Sequence, residues 1–552
     1  MKIKLSLGQK LPYKEVEVKK GTTIEALYRE HREEMKYDSF GAMVGNDLMP
    51  LSFALEKSCK VQLRDIRFKP VFLIYQNSLN FLFLKGLYDV MGPKVAAEVV
   101  TSVDDGIVWL IDAEYDEDTV AKIAFRMREL VSLDLPIESR TVTEQEFCEI
   151  LMKQGMEQQS RALRDVGEGH EAALYTLDDF SDYFYTWMVP STGYLRKFEV
   201  LKYRDGILLR TPQPGNPNEI PDFVDNYIMF NAFKEQRHWN DLLGIRYVAD
   251  INDKIRAKDY KTMVQLSEAL HDKKVVDIAD EITEKGKRVI LILGPSSSGK
   301  TTFAKRLSIQ LMVNGHRSLY LGTDDYFVER SETPKDEFGE YDFESIEALD
   351  VELFNKQMKE LLEGKEVDMP VFNFLTGQKE YGHRITRLEE GQPIIIEGIH
   401  SFDSRLTKSL PEKDKYYIYI SPLTQLNMDA HNRLPTTDLR LVRRMVRDAR
   451  TRGHDAESTF KLWHKVQAAE VKNIFPYSNK ADVFFNTVHV YELSVLKKYV
   501  VPLLETVKPE SEEYYDAKLL LRFFGLIEDL DDESVLAADS ILREFIGGST
   551  YA

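Results

Sequence analysis

Apolar and polar residues alternate at the start of the chain. Met1–Leu7 predicts a strand, and Glu15–Val18 resumes the alternation after a turn. Gly21-Thr22-Thr23 then opens a helical stretch, Ile24–Glu33, with Thr23 placed to cap its first turn. Short strands around Ala42–Val44 and Val61–Ile66 close this unit, residues 1–66, and Gly45-Asn46 reads as a two-residue hairpin turn between them. Residues 67–250 have a mixed pattern. Val71–Leu84 and Val99–Ile111 are apolar runs of strand or buried-helix character, whereas Thr119–Leu130 and Glu144–Gln154 carry helical spacing. Residues 251–287 are helical and charged, the pattern of a connecting segment. At Arg288 the pattern changes again. Val289–Leu293 is wholly apolar, as in a parallel strand covered on both faces. Thr302–Leu311 follows as a helix with Phe303, Leu307 and Leu311 four apart, and Ser318–Gly322 and Pro393–Ile396 repeat the short apolar run. The predicted fold is α/β: a parallel sheet in the C-terminal half (residues 288–507), preceded by a small α+β unit and a second α+β domain. A helical tail, residues 508–552, ends the chain.

A length of 552 residues fits about three to five domains. With 43% hydrophobic and 30% charged residues, collagen and global disorder are excluded. Two cysteines, Cys59 and Cys148, are too few for a disulfide framework or a Cys-type zinc site. No window holds eighteen uninterrupted apolar residues, and the N-terminus lacks the apolar block of a signal peptide. The expected compartment is the cytoplasm, with no membrane partner. A net charge of −18 disfavours general nucleic-acid binding.

The most specific stretch is RVILILGPSSSGKTT. Gly294-Pro295-Ser296-Ser297-Ser298-Gly299-Lys300-Thr301 satisfies G-x-x-x-x-G-K-[ST] between an apolar strand and a helix. Glycines let backbone N–H groups face phosphates, and the helix N-terminus adds a positive dipole end. Lys300 reaches the β/γ-phosphates and Thr301 offers a hydroxyl to Mg²⁺. The implied ligands are ATP and Mg²⁺. Asn479-Lys480-Ala481-Asp482 spells the guanine-reading N-K-x-D, but it precedes the apolar run Val483-Phe484-Phe485 instead of following a strand, so Asp482 is read as starting a strand.

Carboxylates end the next two apolar runs. Asp324 or Asp325 stands where a base could accept a proton from a substrate hydroxyl. Only one of the pair would face the crevice if the segment continued the strand. Glu397, after Ile394–Ile396, fits a ligand of Mg²⁺ or its waters. In DLRLVRRMVRDARTRGHD, Arg440, Arg443, Arg444 and Arg447 share one helix face, and Arg450 and Arg452 extend the cluster. Like charges so packed repel unless an anion neutralises them, and phosphate is the natural one. A lid over transferring phosphates, a solvated basic face and an RNA-binding helix all fit the spacing.

These motifs together resemble the uridine kinase and phosphoribulokinase family of P-loop kinases, uridine-cytidine kinases most closely, over residues 288–505. GPSSSGKTT, TDDYF, DFESIEALD, PVFNFLT, IIIEGIHSF, RLVRRMVRDARTRG and KADVFFN occur in the family's order. The resemblance implies a kinase acting on the 5′-hydroxyl of a uridine- or cytidine-like ribonucleoside. It maps the catalytic base onto Asp324 and the ribose-binding acid onto Glu344, and it lines the acceptor pocket with Phe372, Phe374 and Arg440. Lys300, Arg443 and Arg447 would then serve the transferring phosphoryl group. Gly294 to Thr302, with Arg450 and Arg452, would hold the nucleotide, and Thr301 and Glu397 the metal. The family's base-contacting His falls on Gly377 and its Tyr on Phe372, which bears on pyrimidine preference. A sugar-phosphate acceptor would instead draw on Lys379, His383, Arg384 and Arg387.

Residues 1–66 resemble the ubiquitin-like TGS domain through the strand–strand–GTT–helix order and VGNDLMPLSFAL. Residues 67–250 resemble the second domain of threonyl-tRNA synthetases, but Gln76 and Asn80 stand where its H-x-x-x-H would lie, and no C-x-x-x-H follows, so the editing residues are absent. An RNA- or ribosome-associated regulatory ATPase and a homo-oligomer are further expectations from this arrangement.

Overall fold

The computed structural model describes every residue except 10, 104–105, 165–170, 336–338, 425 and 552, and the side chains of 162–172. Lys10 of the predicted first unit and Ala552 of the predicted tail lie outside the described residues.

The first unit is a five-stranded mixed sheet. Lys2–Ser6 pairs antiparallel with Lys14–Glu17 and parallel with Lys60–Asp65, which pairs in turn with Ser39–Val44. Thr23 caps the helix Ile24–Glu30, its hydroxyl accepting the Ala26 N–H at 3.2 Å. The Gly45-Asn46 turn joins Ser39–Val44 to Asp47–Pro50, not to Val61–Ile66 as predicted. A two-residue loop connects strands that are immediate neighbours, and the pattern hid a four-residue strand ending in proline.

The ambiguous run Val71–Leu84 is the middle of a 23-residue helix, Lys69–Met91. Phe40 of the first unit packs on its Tyr75, with ring centroids 4.9 Å apart, and Trp109 packs on its Phe83 at 5.4 Å. Buried on all sides, it has no polar stripe to reveal its period. Val99–Ile111 spans two antiparallel strands, Ala97–Val103 and Gly106–Ile111. Helices Glu117–Leu133 and Glu144–Lys153 form where predicted.

The C-terminal half is built on a fully parallel sheet in the order Leu319–Gly322, Ile394–Glu397, Val289–Leu293, Lys415–Ser421, Val483–Asn486. Val289, Leu291 and Leu293 face one layer, with Phe354, Met358 and Phe484; Ile290 and Ile292 face the other, with Phe303, Leu307, Val275 and Ile278. The predicted connector therefore contributes a covering layer. Its helix Tyr260–Glu284 lays Val264, Val275, Ile278 and Ile282 inward, and Tyr227–Leu243 sends Phe233 to the opposite face. Asp482 accepts the Tyr417 N–H at 2.8 Å at the start of its strand, opposite the strand ends where ligands bind in such sheets.

Hydrogen bonds to the Val99 backbone tie the second domain to the loop before the arginine helix, Thr436–Thr451. The Val99 N–H donates to Ala430 O at 2.8 Å, and Asn427 Nδ2 to Val99 O at 2.6 Å. Helices Glu492–Leu504 and Tyr514–Phe524 lead to a short helix, Arg543–Ile546, whose Phe545 is buried under the sheet. Among the described residues, no helix is long and apolar enough to cross a membrane.

Candidate active site

The C-terminal ends of the parallel strands, at Leu293, Gly322 and Glu397, converge on one crevice. The loop leaving Leu293 cannot carry side chains at its two motif glycines. A Cβ on Gly294 would stand 2.3 Å from Ile420 O, and Gly299 has φ +85° with Ile541 2.6 Å from its would-be Cβ. Ser297 adopts φ +60°, which helps turn successive N–H groups to one side, as in an anion-binding nest. The Ser297 and Ser298 hydroxyls are buried and meet no partner among the described residues. Lys300 Nζ donates to Gly294 O (3.0 Å) and Pro295 O (3.1 Å), closing the loop.

Glu397 ends its strand beside this loop. One carboxylate oxygen accepts from Thr301 Oγ1 (3.1 Å) and Tyr320 OH (3.0 Å); the other is buried and has no partner among the described residues. Burial raises its pKa, and Asp324 adds to the rise, against the opposing charge of Lys300. Gly398 follows because a Cβ there would lie 1.9 Å from Thr323 Oγ1.

Asp324 and Asp325 diverge, but not by strand alternation. The strand stops at Gly322 and Thr323–Tyr326 is a 3₁₀ turn, which points consecutive side chains roughly 120° apart. Asp325 turns away: Arg384 Nη1 donates to it at 3.0 Å, and the Phe372 N–H at 3.5 Å. Asp324 opens onto the crevice with its own surface exposed, while surrounding protein crowds it deeply enough to raise its pKa. Asp325 adds to that rise, and Lys300, Arg452 and Arg447 oppose it. Glu344 lies in the same field. Desolvation lifts it to about 7, with Arg444 and Lys300 pulling down and Glu470 and Asp324 pushing up. Its backbone carbonyl is held by His400 Nε2 (3.0 Å) and Asn473 Nδ2 (2.8 Å).

Phe372 and Phe374 belong to an aromatic cluster with Phe327 and Phe343, centroids 5.2 to 6.2 Å apart; Phe374 is 60% exposed. Gly377 lies at φ +72°, and a Cβ there would meet Arg330 at 2.8 Å, so this turn has no room for an imidazole.

The arginine face is corrected most. The sequence predicted four like charges awaiting an external anion, but the protein supplies its own. Arg440 is buried in a bidentate pair with Glu470 beside Trp463, and is not presented to an acceptor pocket. Arg443 is wholly buried against Glu492 (2.8 and 2.6 Å) and Thr487, and so does not face the crevice. Arg444 donates to Ser296 Oγ at 3.0 Å, and Arg440 to Ser296 O at 3.4 Å, so these two brace the phosphate loop. Arg447 and Arg452 pair with Asp448 and act electrostatically on Asp324. Arg450 donates to Glu544 O and Phe545 O in the tail. Glu470, Glu492 and Tyr320 went unseen in the sequence, since no motif includes them, and Glu544 lies in the tail SILREFIGGS, which carries no chemical signature of its own.

The fold and site define a P-loop α/β domain of the kind that handles phosphate groups. Residues 289–494 match the model of the Phosphoribulokinase / Uridine kinase family. The chain is 28% identical over 170 residues to a uridine kinase of Ligilactobacillus salivarius, covering 31% of this chain and 70% of that protein. It is 28% identical over 201 residues to a uridine kinase of Halalkalibacterium halodurans, covering 36% and 86%. Among solved structures, a possible uridine kinase from Bacillus stearothermophilus is 21% identical, with 39% of this chain and 98% of that one covered, at a TM-score of 0.27. The family match and the two curated relatives support a kinase domain of this family in the C-terminal part of the chain.

Proposed function

We propose that this protein is a kinase that transfers the γ-phosphoryl group of ATP to the 5′-hydroxyl of a uridine- or cytidine-like ribonucleoside. The observation that carries the reading is Asp324. It is a crevice-facing carboxylate of raised pKa, at the end of the strand two places from the phosphate loop, in the field of Lys300, Arg447 and Arg452.

The residues present fit ATP and Mg²⁺. Two tightly confined glycines line the loop with two buried hydroxyls; these hydroxyls have no partner among the described residues, nor has a buried carboxylate oxygen on Glu397 that would ligate the metal. Gly294 to Thr302 would hold the phosphates; Thr301 and Glu397 would hold the metal. The bound cation supplies positive charge to the phosphate oxygens. Asp324 accepts the acceptor's hydroxyl proton as the O–P bond forms. Lys300, released from two carbonyls, neutralises charge on the group in transit. Arg447 and Arg452 contribute from the arginine helix, while Arg440 and Arg443 hold its shape. Glu344 and the exposed face of Phe374 offer a hydroxyl-binding acid and a flat apolar wall, which suit a ribose and its base. The sugar-phosphate alternative has less support, because Lys379 is paired with Asp350 and Arg384 with Asp325.

In the N-terminal part, the strand order of the five-stranded sheet supports the ubiquitin-like, TGS-type reading. The second domain is read as synthetase-like without editing chemistry, since Asn80 is buried within a helix and Gln76 lies one turn earlier.

A coupled assay of ATP consumption across nucleosides, sugar phosphates and RNA tests the proposal. Turnover with uridine or cytidine, and none with ribulose 5-phosphate or RNA, is the expected result. Turnover only with a sugar phosphate or RNA would overturn it.

A further inference from the structure

The C-terminal segment lies on the phosphate loop. Thr302 is the third residue of the loop helix, so its N–H is one of the four without an intrahelical partner. Such donors at a helix N-terminus are what a phosphate would use. Here that one is taken, together with the Thr302 hydroxyl: Glu544 Oε2 accepts from Thr302 N at 3.3 Å and from Thr302 Oγ1 at 2.6 Å. The neighbouring main chain engages the arginine helix. Glu544 O accepts from Arg450 Nη2 at 3.0 Å and Phe545 O from Arg450 Nε at 3.2 Å. Lys305, one turn further along the loop helix, donates to Tyr551 O. Gly547, at φ +99°, lets the chain turn against Arg450, whose guanidinium lies 3.3 Å from its would-be Cβ. Ile541 and Phe545 anchor the segment among Phe303 and Phe485, whereas Glu544 between them is only half-buried.

We infer that this segment is a built-in competitor for the nucleotide, with Glu544 occupying phosphate-binding donors at Thr302 and the carbonyls of residues 544 and 545 holding Arg450 back. The inference rests on the P-loop reading above. A carboxylate and a phosphate cannot share one N–H and one hydroxyl at the positive end of a helix, because two anions there repel. Binding of ATP therefore requires the Glu544 carboxylate to leave Thr302, and a shift of the main chain at 544 and 545 along with it would free Arg450. The anchors Ile541 and Phe545 keep the segment close, so the competition is intramolecular and concentration-independent.

The test uses the full-length chain. Glu544→Gln keeps the shape and removes the charge. MgATP should bind it roughly tenfold more tightly than wild type, the scale of losing one charge-assisted contact. In wild type, MgATP should speed amide exchange across residues 543–551, a measurement that needs no variant. Unchanged or weaker binding by Glu544→Gln, or slower exchange in that segment with MgATP, would show that Glu544 is a helix cap or part of the nucleotide pocket, and would overturn the inference. Lys300→Ala separates the two readings. If it weakens MgATP binding while Glu544→Gln does nothing, the P-loop reading stands and the competitor falls. If wild type and both variants all fail to bind MgATP, both fall.

Discussion

Asp324→Asn tests the chemistry most directly. The substitution preserves size and leaves Lys300, the loop amides and Glu397 in place. It removes only the carboxylate proposed as proton acceptor. A positioned general base contributes about 10²–10⁴-fold, which at 1.36 kcal/mol per decade is roughly 2.7–5.4 kcal/mol of barrier. kcat should fall by that factor in the coupled assay, with the KM for ATP little changed. The pH profile follows from the environment. Burial and Asp325 raise the Asp324 pKa, and the base acts only when ionised. The acid limb of kcat/KM should therefore lie above the ordinary aspartate range, with activity lost as pH falls through it. Arg452→Gln removes a charge that opposes the rise, so that limb should move to still higher pH. Stability should respond with the opposite sign. A carboxyl whose pKa is higher folded than unfolded destabilises the fold when ionised, and the fold gains stability as pH drops through the folded value. Asp324→Asn should thus melt at or above the wild-type temperature at neutral pH while being nearly inactive. Asp325→Asn, whose carboxyl turns away to Arg384, should keep substantial turnover. A dead Asp325→Asn beside an active Asp324→Asn would refute the reasoning. If neither matters, the base lies at Glu344 or Glu397.

Lys300→Ala should abolish phosphoryl transfer with an unchanged circular dichroism spectrum, since the hydrogen bonds of Lys300 go to two loop carbonyls and to no core element. Glu397→Gln should raise the Mg²⁺ concentration needed for half-maximal activity severalfold, measured by metal titration, and no shift would remove Glu397 from the metal site. Arg443→Ala leaves Glu492 charged and fully buried, so denaturant unfolding should show a loss of about 3–5 kcal/mol. Arg443→Met with Glu492→Leu should recover most of it, whereas a catalytic role would leave stability intact in the single variant.

What the sequence determined by itself is what contiguous residues carry. The phosphate loop, the apolar runs around it and the carboxylates ending them were legible because glycine geometry, strand burial and helix polarity act within a few residues. Asp324, Lys300, Thr301 and Glu397 come together at one edge because parallel strands place their C-terminal ends side by side. What only the tertiary structure decided is which charges are free. Arg440 and Arg443 share a helical face with Arg447, and nothing local distinguishes them. Their fates were set by Glu470, 30 residues away, and Glu492, 49 away. Thr302 found its partner 242 residues further on, in Glu544. The helix Tyr260–Glu284 read as a connector because its apolar stripe says that it packs, not on what. Periodicity reports a face; only the folded chain supplies the surface or the counter-charge that meets it.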